Sequence, residues 1–404
     1  MRQWATWHTD RQWRSNAHTP HFATDGNGRK YRHPRHTSNE ENAIDIAQLK
    51  VLVFKANSST ETFCYEAPQI QLQDEKYIVT LKQSLIGEKY RLVVIANAGK
   101  KLPVIPDNTA KNDVLKMITF DATGMWNATG TTNYSRFPMW GETTATQAIT
   151  PATSLGNITL LRSLARIDVG CMLNGETAAG ISGFTLKTVS VYRTKNKGYA
   201  APVNGGTITD NVVASVSIPP DAGTNDALTY TCMDGKSLIR TIYVAETPQG
   251  NGRDNNVCLV VGGTYAGSTH YYRVDLTSGG SYIPLKRNCR YIVNIKAVNN
   301  AGYTTEAAAL TGDKTLVIAT SISAEAWSGQ TSAGSGTITR CLKVRINGSR
   351  CKNDKRFIND YFTLKKMRRM IRNMLFHISV VLLIIGCGKY EDSIEKPLSQ
   401  QHPR

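Results

Sequence analysis

Between residues 41 and 339 the chain is a succession of short runs built from Val, Ile, Leu, Tyr and Thr, cut apart by turn-forming clusters. Gln48–Phe54 (QLKVLVF), Lys76–Lys82 (KYIVTLK) and Lys89–Gly99 (KYRLVVIANAG) come first. A less regular stretch, 101–155, follows. The pattern then resumes at 157–173, 183–194, 237–246, 256–265, 269–276, 289–298 and 315–327. Clusters such as NGG, PPDAG, PQGNG and TSGGS lie between many of these runs. Branched and aromatic residues in runs of strand length, bounded by Gly, Pro, Asn and Ser, predict antiparallel β-structure of sandwich or barrel type. LLRSLARI reads as strand because strands flank it. No repeat of solenoid or propeller period is present.

The irregular stretch ends at TPATSLGN, which sets a domain boundary near residues 150–157. The reading is all-β, with one sandwich over 41–153 and a second over 154–330. Residues 1–40 form a leader, and residues 331–404 a basic tail.

Charge follows the same division. The chain carries +17 in total, which suggests a nucleic-acid or membrane partner. Residues 1–40 hold seven basic and three acidic side chains, and residues 340–404 hold fifteen and five. That leaves 26 basic against 23 acidic residues for 41–339. A nearly neutral body excludes an electrostatic nucleic-acid surface, and no nucleic-acid partner is expected.

Chemistry-bearing patterns are few. Walker A, GxGxxG, GxSxG and HExxH motifs are absent. The eight cysteines include no CxxC pair and no zinc-finger spacing, so neither a metal nor a cofactor is expected. Cys171, Cys258 and Cys289 lie in apolar runs and read as small buried hydrophobes. His18/His21 and His33/His36 have i,i+3 spacing in a leader without apolar periodicity, and read as incidental. The glycine-rich VVGGTYAGSTH, ending in His270, sits between two strand-like runs and reads as a hairpin, not a phosphate cradle. Arg166 and Asp168 read as a charge pair on the solvent face of a strand. Trp126, Trp140 and Trp327 form no spaced stacking platform. No catalytic constellation emerges, and the chain is not expected to be an enzyme.

The last forty residues contain MLFHISVVLLIIGCG (374–388) behind the basic KKMRRMIRN. A positive segment, a short apolar run and small residues before a cysteine have the order of an export signal. The run is too short to span a bilayer, which takes about 20 residues.

Four segments resemble the Bacteroidales fimbrillin family, the FimA/Mfa type of fimbrial subunit. ENAIDIAQLKVLVF (Glu41–Phe54) is similar to the first strand of the mature subunit. LLRSLARIDVGC (Leu160–Cys171), followed by GFTLKTVSVY, resembles the stretch at the domain junction. Tyr271–Tyr303 holds a strand, then Arg287, Asn288 and Tyr291 in the pattern R-N-x-x-Y ahead of a long alternating strand. VIATSISAEAW resembles the late strand that closes with a tryptophan, here Trp327. Together they span about residues 41–330.

The resemblance implies two tandem transthyretin-like β-sandwiches in a lipoprotein exported to the outer membrane and assembled into extracellular fimbriae. It implies cleavage by a trypsin-like protease after an arginine of the leader, here Arg35, with Arg32 and Arg29 as neighbours. The cut releases a strand and opens a groove that a neighbouring subunit's strand fills, an open-ended contact that builds filaments. The implied partners are other fimbrial subunits, the protease, and host or bacterial surface ligands. IIGC resembles a lipobox with Cys387 as acceptor and Met367 or Met370 as a start. Both tails are expected to lie outside the mature subunit, the C-terminal one as a neighbouring lipoprotein's signal. A surface glycan-binding β-sandwich lipoprotein, or a fimbrial tip or anchor accessory, is the alternative reading.

Overall fold

The computed structural model describes residues 38–347, apart from 74–75, 100, 127–135, 152–156, 172, 174–180, 182, 204–207, 313–317 and 328–338, together with the two-residue pairs 23–24 and 30–31. The described body is nearly all β, as the sequence predicts. Its first half contains β1 (Leu49–Lys55), β2 (Thr62–Glu66), β3 (Gln69–Gln73), β4 (Lys76–Lys82), β5 (Tyr90–Ala96), β6 (Met139–Glu142), β7 (Asn157–Thr159) and β8 (Leu161–Arg162). Its second half contains β9 (Leu164–Cys171), β10 (Phe184–Tyr192), β11 (Leu228–Thr231), β12 (Ser237–Ala245), β13 (Cys258–Tyr265), β14 (Ser268–Asp275), β15 (Cys289–Val298) and β16 (Ile318–Ala326). A last strand, β17 (Thr339–Asn347), follows.

In the first half a five-stranded antiparallel sheet runs in the order β8-β6-β5-β1-β2. Period-2 alternation gives it two apolar faces. Leu52, Phe54, Val93 and Ile95 pack with Val114 and Leu115 of α1 (Lys111–Lys116) and with Tyr199, Ala200, Ala201 and Val203. Val51, Val53, Leu92 and Val94, on the other face, are also buried. The Lys82 amide donates to Tyr65 Oη (2.9 Å), stitching this sheet to a four-stranded one ordered β7-β17-β4-β3.

The second half is a sandwich of two four-stranded sheets, β12-β9-β15-β16 and β11-β10-β13-β14. Ala165, Ile167, Val169, Ile242, Val293 and Ile295 of the first interleave with Leu186, Val189, Val191, Leu259, Val261 and Val274 of the second. LLRSLARI is strand, divided between β8 and β9 at Ser163. VVGGTYAGSTH is the β13–β14 hairpin, turning at Ala266 and Gly267, both with positive φ. Gly263 is dictated by close approach: a Cβ there would meet the Phe184 ring at 2.3 Å.

Two pairings cross the division read from sequence. β7 and β8, C-terminal to residue 154, belong to the sheets of the first half. β17, within the segment read as a basic tail, joins the four-stranded sheet of the first half. The sequence TRCLKVRIN does alternate apolar Leu342, Val344 and Ile346 with Lys343 and Arg345. Its basic charge hides a period-2 pattern.

Candidate functional site

Two features at opposite ends of the chain draw it together. The first is the slot that β17 occupies. It runs parallel to β4, from Leu342 opposite Tyr77 to Asn347 opposite Lys82. Its first three residues, ahead of that ladder, run antiparallel to β7, with Asn157 opposite Cys341 and Thr159 opposite Thr339. Parallel neighbours require a crossover connection, and here it runs through β5 to β8 and the whole second half of the protein. β4 is apolar almost throughout; Tyr77, Ile78, Val79, Thr80 and Leu81 are all buried, as in a strand covered on both faces. The two ladders use successive parts of β17, 339–341 against β7 and 342–347 against β4, so taking β17 away would uncover the edge of each strand. Two rows of ladder groups would then lack partners. On the far side of β4, β3 (QIQLQ) is an exposed edge, with Leu72 at 53% exposure.

The second feature is a buried ionic clasp. A helical turn, Ser38–Glu41, delivers Glu41 to the start of the first half. The following residues are held by Asn97, which accepts from the Asp45 amide (2.9 Å) and donates to the Ala43 (2.9 Å) and Phe137 (2.8 Å) carbonyls. The Glu41 side chain has no exposed surface. It accepts from Tyr243 Oη (2.8 Å), Arg166 Nη1 (3.2 Å) and Trp327 Nε1 (3.3 Å), with Arg240 Nε at 3.8 Å.

Arg162 lies beside it. Its Nε donates to the Glu41 carbonyl (3.1 Å), its Nη1 to the Trp327 carbonyl (2.9 Å) and Asn288 Oδ1 (3.1 Å), and its Nη2 to Asn42. The guanidinium stands 4.4 Å above the Trp327 ring, a cation–π contact. The same ring stacks on Tyr243 and meets Phe137 edge-on. One guanidinium thus holds the residue entering the first strand and the residue leaving β16.

Asp168 completes the network. Arg166 forks onto it (2.8 and 2.6 Å), Arg290 Nε donates at 2.7 Å, and the Arg240 amide at 2.9 Å. Burial alone would raise the Asp168 carboxyl; the Arg166 fork, with the Arg240 amide and Arg290, overcomes it and holds the group below its ordinary value. Burial lowers the Arg162 guanidinium to about 10 against the attraction of Glu41. Burial, then the Glu41 charge, pushes the Tyr243 phenol well up.

The solvent-face reading of Arg166 and Asp168 is therefore corrected: both are buried. β9 is a central strand, between β12 and β15. The face that alternation leaves for charge is covered by Glu41, Arg240 and Arg290 instead of water.

The R-N-x-x-Y residues also have structural work. Arg287 pairs with Glu246 (2.5 Å) and donates to the Tyr199 (3.1 Å) and Ala200 (3.2 Å) carbonyls. Asn288, at φ 53°, accepts from the Arg162 amide (3.2 Å). Tyr291 Oη donates to the Pro284 carbonyl (2.7 Å) and accepts from the Lys286 amide (2.8 Å), closing the loop before β15.

Arg35, Arg32, Arg29 and Cys387 lie outside the described residues, as do both paired-histidine motifs. His270 sits in the β13–β14 hairpin with Nδ1 3.2 Å from the Gly302 carbonyl. Trp140 and Trp327 are buried, and half-buried Trp126 packs on Phe120 and Phe137. Cys258 and Cys289 are buried and Cys171 partly so. Among the described residues no group of His, Cys, Asp and Glu is placed to hold a metal. No helix among them is long and apolar enough to cross a membrane. Sequence reasoning missed Glu41 and Arg162. The available signal was a surplus of arginines in or beside strands (162, 166 and 290 within them, 287 in the turn before one), each of which needs an anion or a carbonyl when buried.

The model of the family described as fimbrillin-A associated anchor proteins Mfa1 and Mfa2 matches residues 21–305. Among solved structures, the C-terminally truncated tip fimbrial protein Mfa3 of Porphyromonas gingivalis is 15% identical, with a TM-score of 0.43, covering 72% of this chain and 97% of that one. A candidate cell adhesion protein of Bacteroides eggerthii is 16% identical, TM-score 0.40, over 69% and 88%. Another, from Parabacteroides distasonis, is 18% identical, TM-score 0.38, over 74% and 94%. No curated protein sequence matches the chain.

Proposed function

Because the chain belongs to the family of fimbrillin-A associated anchor proteins, we propose that it is a non-enzymatic subunit of cell-surface fimbriae, joined to other subunits by strand exchange and serving adhesion. The observation that carries this reading is the slot between β4 and β7. The strand that fills it, Thr339–Asn347, is held by main-chain pairing to β7 through its first three residues and to β4 through the next six. Such a position accepts any strand of suitable alternation, because ladder hydrogen bonds are blind to sequence and side-chain pockets supply the selectivity. A strand from a neighbouring subunit, seated in place of β17, would join two subunits without closing a ring.

On this reading the protein is exported as an outer-membrane lipoprotein. A trypsin-like protease removes the leader at Arg35, ahead of the Glu41 clasp, and leaves the clasp whole. Adhesion to host or bacterial surfaces belongs to the assembled fimbria. The test is to shear fimbriae from producing cells and trace the chain by immunogold and gel. The expected result is co-sedimentation in denaturant-resistant complexes with other fimbrial subunits. Recovery solely as a monomer, with no label on filaments, would overturn the proposal.

A further inference from the structure

The resemblance to fimbrillins predicts that a leader strand, ahead of Glu41, fills the groove before assembly. The strand in the slot is instead β17, from the other end of the chain. We propose that this protein closes its own slot in cis with Thr339–Asn347, so that the isolated subunit is autoinhibited and removal of the leader does not open it. The inference rests on the strand-exchange reading and adds its regulation.

The pairing supports closure. β17 links two strands of one sheet: Leu342–Asn347 pair with β4 over six residues and Thr339–Cys341 with β7 over three. An unfilled slot would present the edge of a strand carrying Tyr77, Ile78, Val79 and Leu81, an invitation to indiscriminate pairing. Filling it in cis protects the subunit until a neighbour is available.

The tether makes cis filling dominant. Trp327 is fixed by Arg162, Asn288 and Glu41. Eleven residues, 328–338, connect it to Thr339, and they begin SGQTSAGSG, without an apolar side chain larger than alanine. A connection of that length reaches at most about 40 Å. A strand held on a short tether has an effective concentration of about millimolar. A free second copy at about 1 μM, with equal intrinsic affinity, is therefore disfavoured roughly a thousandfold. Exchange then needs either a neighbour with a better-fitting strand or withdrawal of β17.

On this proposal, cutting the leader does not disturb this equilibrium. Glu41 and Asn42 hold the chain's entry to the fold through Arg162, downstream of Arg35. Cleavage there leaves β4, β7 and β17 covalently untouched.

The experiment uses the full chain with cysteines at Val79→Cys and Val344→Cys, directly opposed on β4 and β17. A second version carries Thr80→Cys and Arg345→Cys, the next opposed pair, in case the first fails to fold. Unlabelled and 15N-labelled chains are folded separately, mixed, oxidised, digested and mapped by mass spectrometry, before and after trypsin treatment that removes the leader. Closure in cis predicts a 79–344 or 80–345 link of a single isotope in the monomer, unchanged by leader removal. Mixed-isotope links confined to oligomers would overturn cis closure and leave strand exchange standing. A single-isotope link abolished by leader cleavage would overturn the independence from the leader. Absence of either link would overturn both this inference and the slot reading beneath it.

Discussion

Replacing Glu41 with Gln removes one charge and keeps the shape. The carboxylate is wholly buried and faces Arg166 at 3.2 Å and Arg240 at 3.8 Å, with Arg162 on its own carbonyl. Tyr243 and Arg166 donate to Oε1 and Trp327 to Oε2, so the single amide oxygen keeps one of these sets and loses the other. The amide nitrogen then faces an N–H donor, Trp327 in one orientation and Arg166 in the other, and a cluster of four arginines is left with buried Asp168 and half-exposed Glu325. Breaking a buried ion pair from one side costs about 3–5 kcal/mol. At about 2.1 cal/mol/K per residue over a body of roughly 300 residues, that corresponds to a fall in Tm of roughly 5–8 °C. The assay is thermal unfolding by circular dichroism, with Glu325→Gln as the comparison. Glu325 pairs with Arg290 at 2.8 Å but is 48% exposed, and its loss should cost no more than about 1 kcal/mol. If Glu41→Gln shifts stability by no more than that, Glu41 does not clasp the chain ends and the electrostatic account of the junction is wrong.

Acid should unfold the protein from a definite threshold. Asp168 and, through Lys111 and Arg91 acting against burial, Glu61 are held below their ordinary values of 3.8 and 4.5. Groups depressed in the folded state contribute fully above the unfolded value and lose that contribution as pH falls through the folded one. Tm should therefore be flat between about pH 5 and 8 and drop below about pH 4, with Asp168→Asn flattening the drop; loss that begins well above pH 5 would contradict it. Gly263→Ala should cost about 1–3 kcal/mol through collision with Phe184 and the Thr185 carbonyl, measured by urea unfolding; a neutral effect would mean that β10 and β13 are not so closely apposed. Burial pushes the Cys232 thiol up to about 12 and the Cys289 thiol up to about 11. Both should resist iodoacetamide at pH 8 in the native protein and react on unfolding, as read by peptide mass mapping.

Local features of this fold were legible and remote ones were not. Runs such as KYIVTLK and CRYIVNIKAV announce strands because period-2 alternation and branched side chains are properties of adjacent residues. The β13–β14 hairpin was legible for the same reason. Arg166 and Asp168 misled because alternation tells which residues share a face and says nothing about what covers it. Glu41 and Trp327, 286 residues apart, make their contact through tertiary structure alone, and neither carries a local sign of it. β17 was hidden by composition: four basic residues lie within ten of Leu342 on its C-terminal side alone, and net charge outweighed the alternation in the reading. The order of the resembling segments proved more informative than any one motif, and Arg287, Asn288 and Tyr291 turn out to fasten the junction.

The clasp also sets an order of events for a chain that emerges from its N-terminus. Glu41 is synthesised first, but Arg162, Arg240, Tyr243 and finally Trp327 must appear before its carboxylate is satisfied. The four-stranded sheet of the first half waits longer still, for residues 339–347. Contacts of such long sequence separation form late, after the loop between them has closed. The first half therefore cannot finish folding as an independent early domain. It stays incomplete until nearly the whole body has been made, which keeps an emerging chain from locking into its final form too soon.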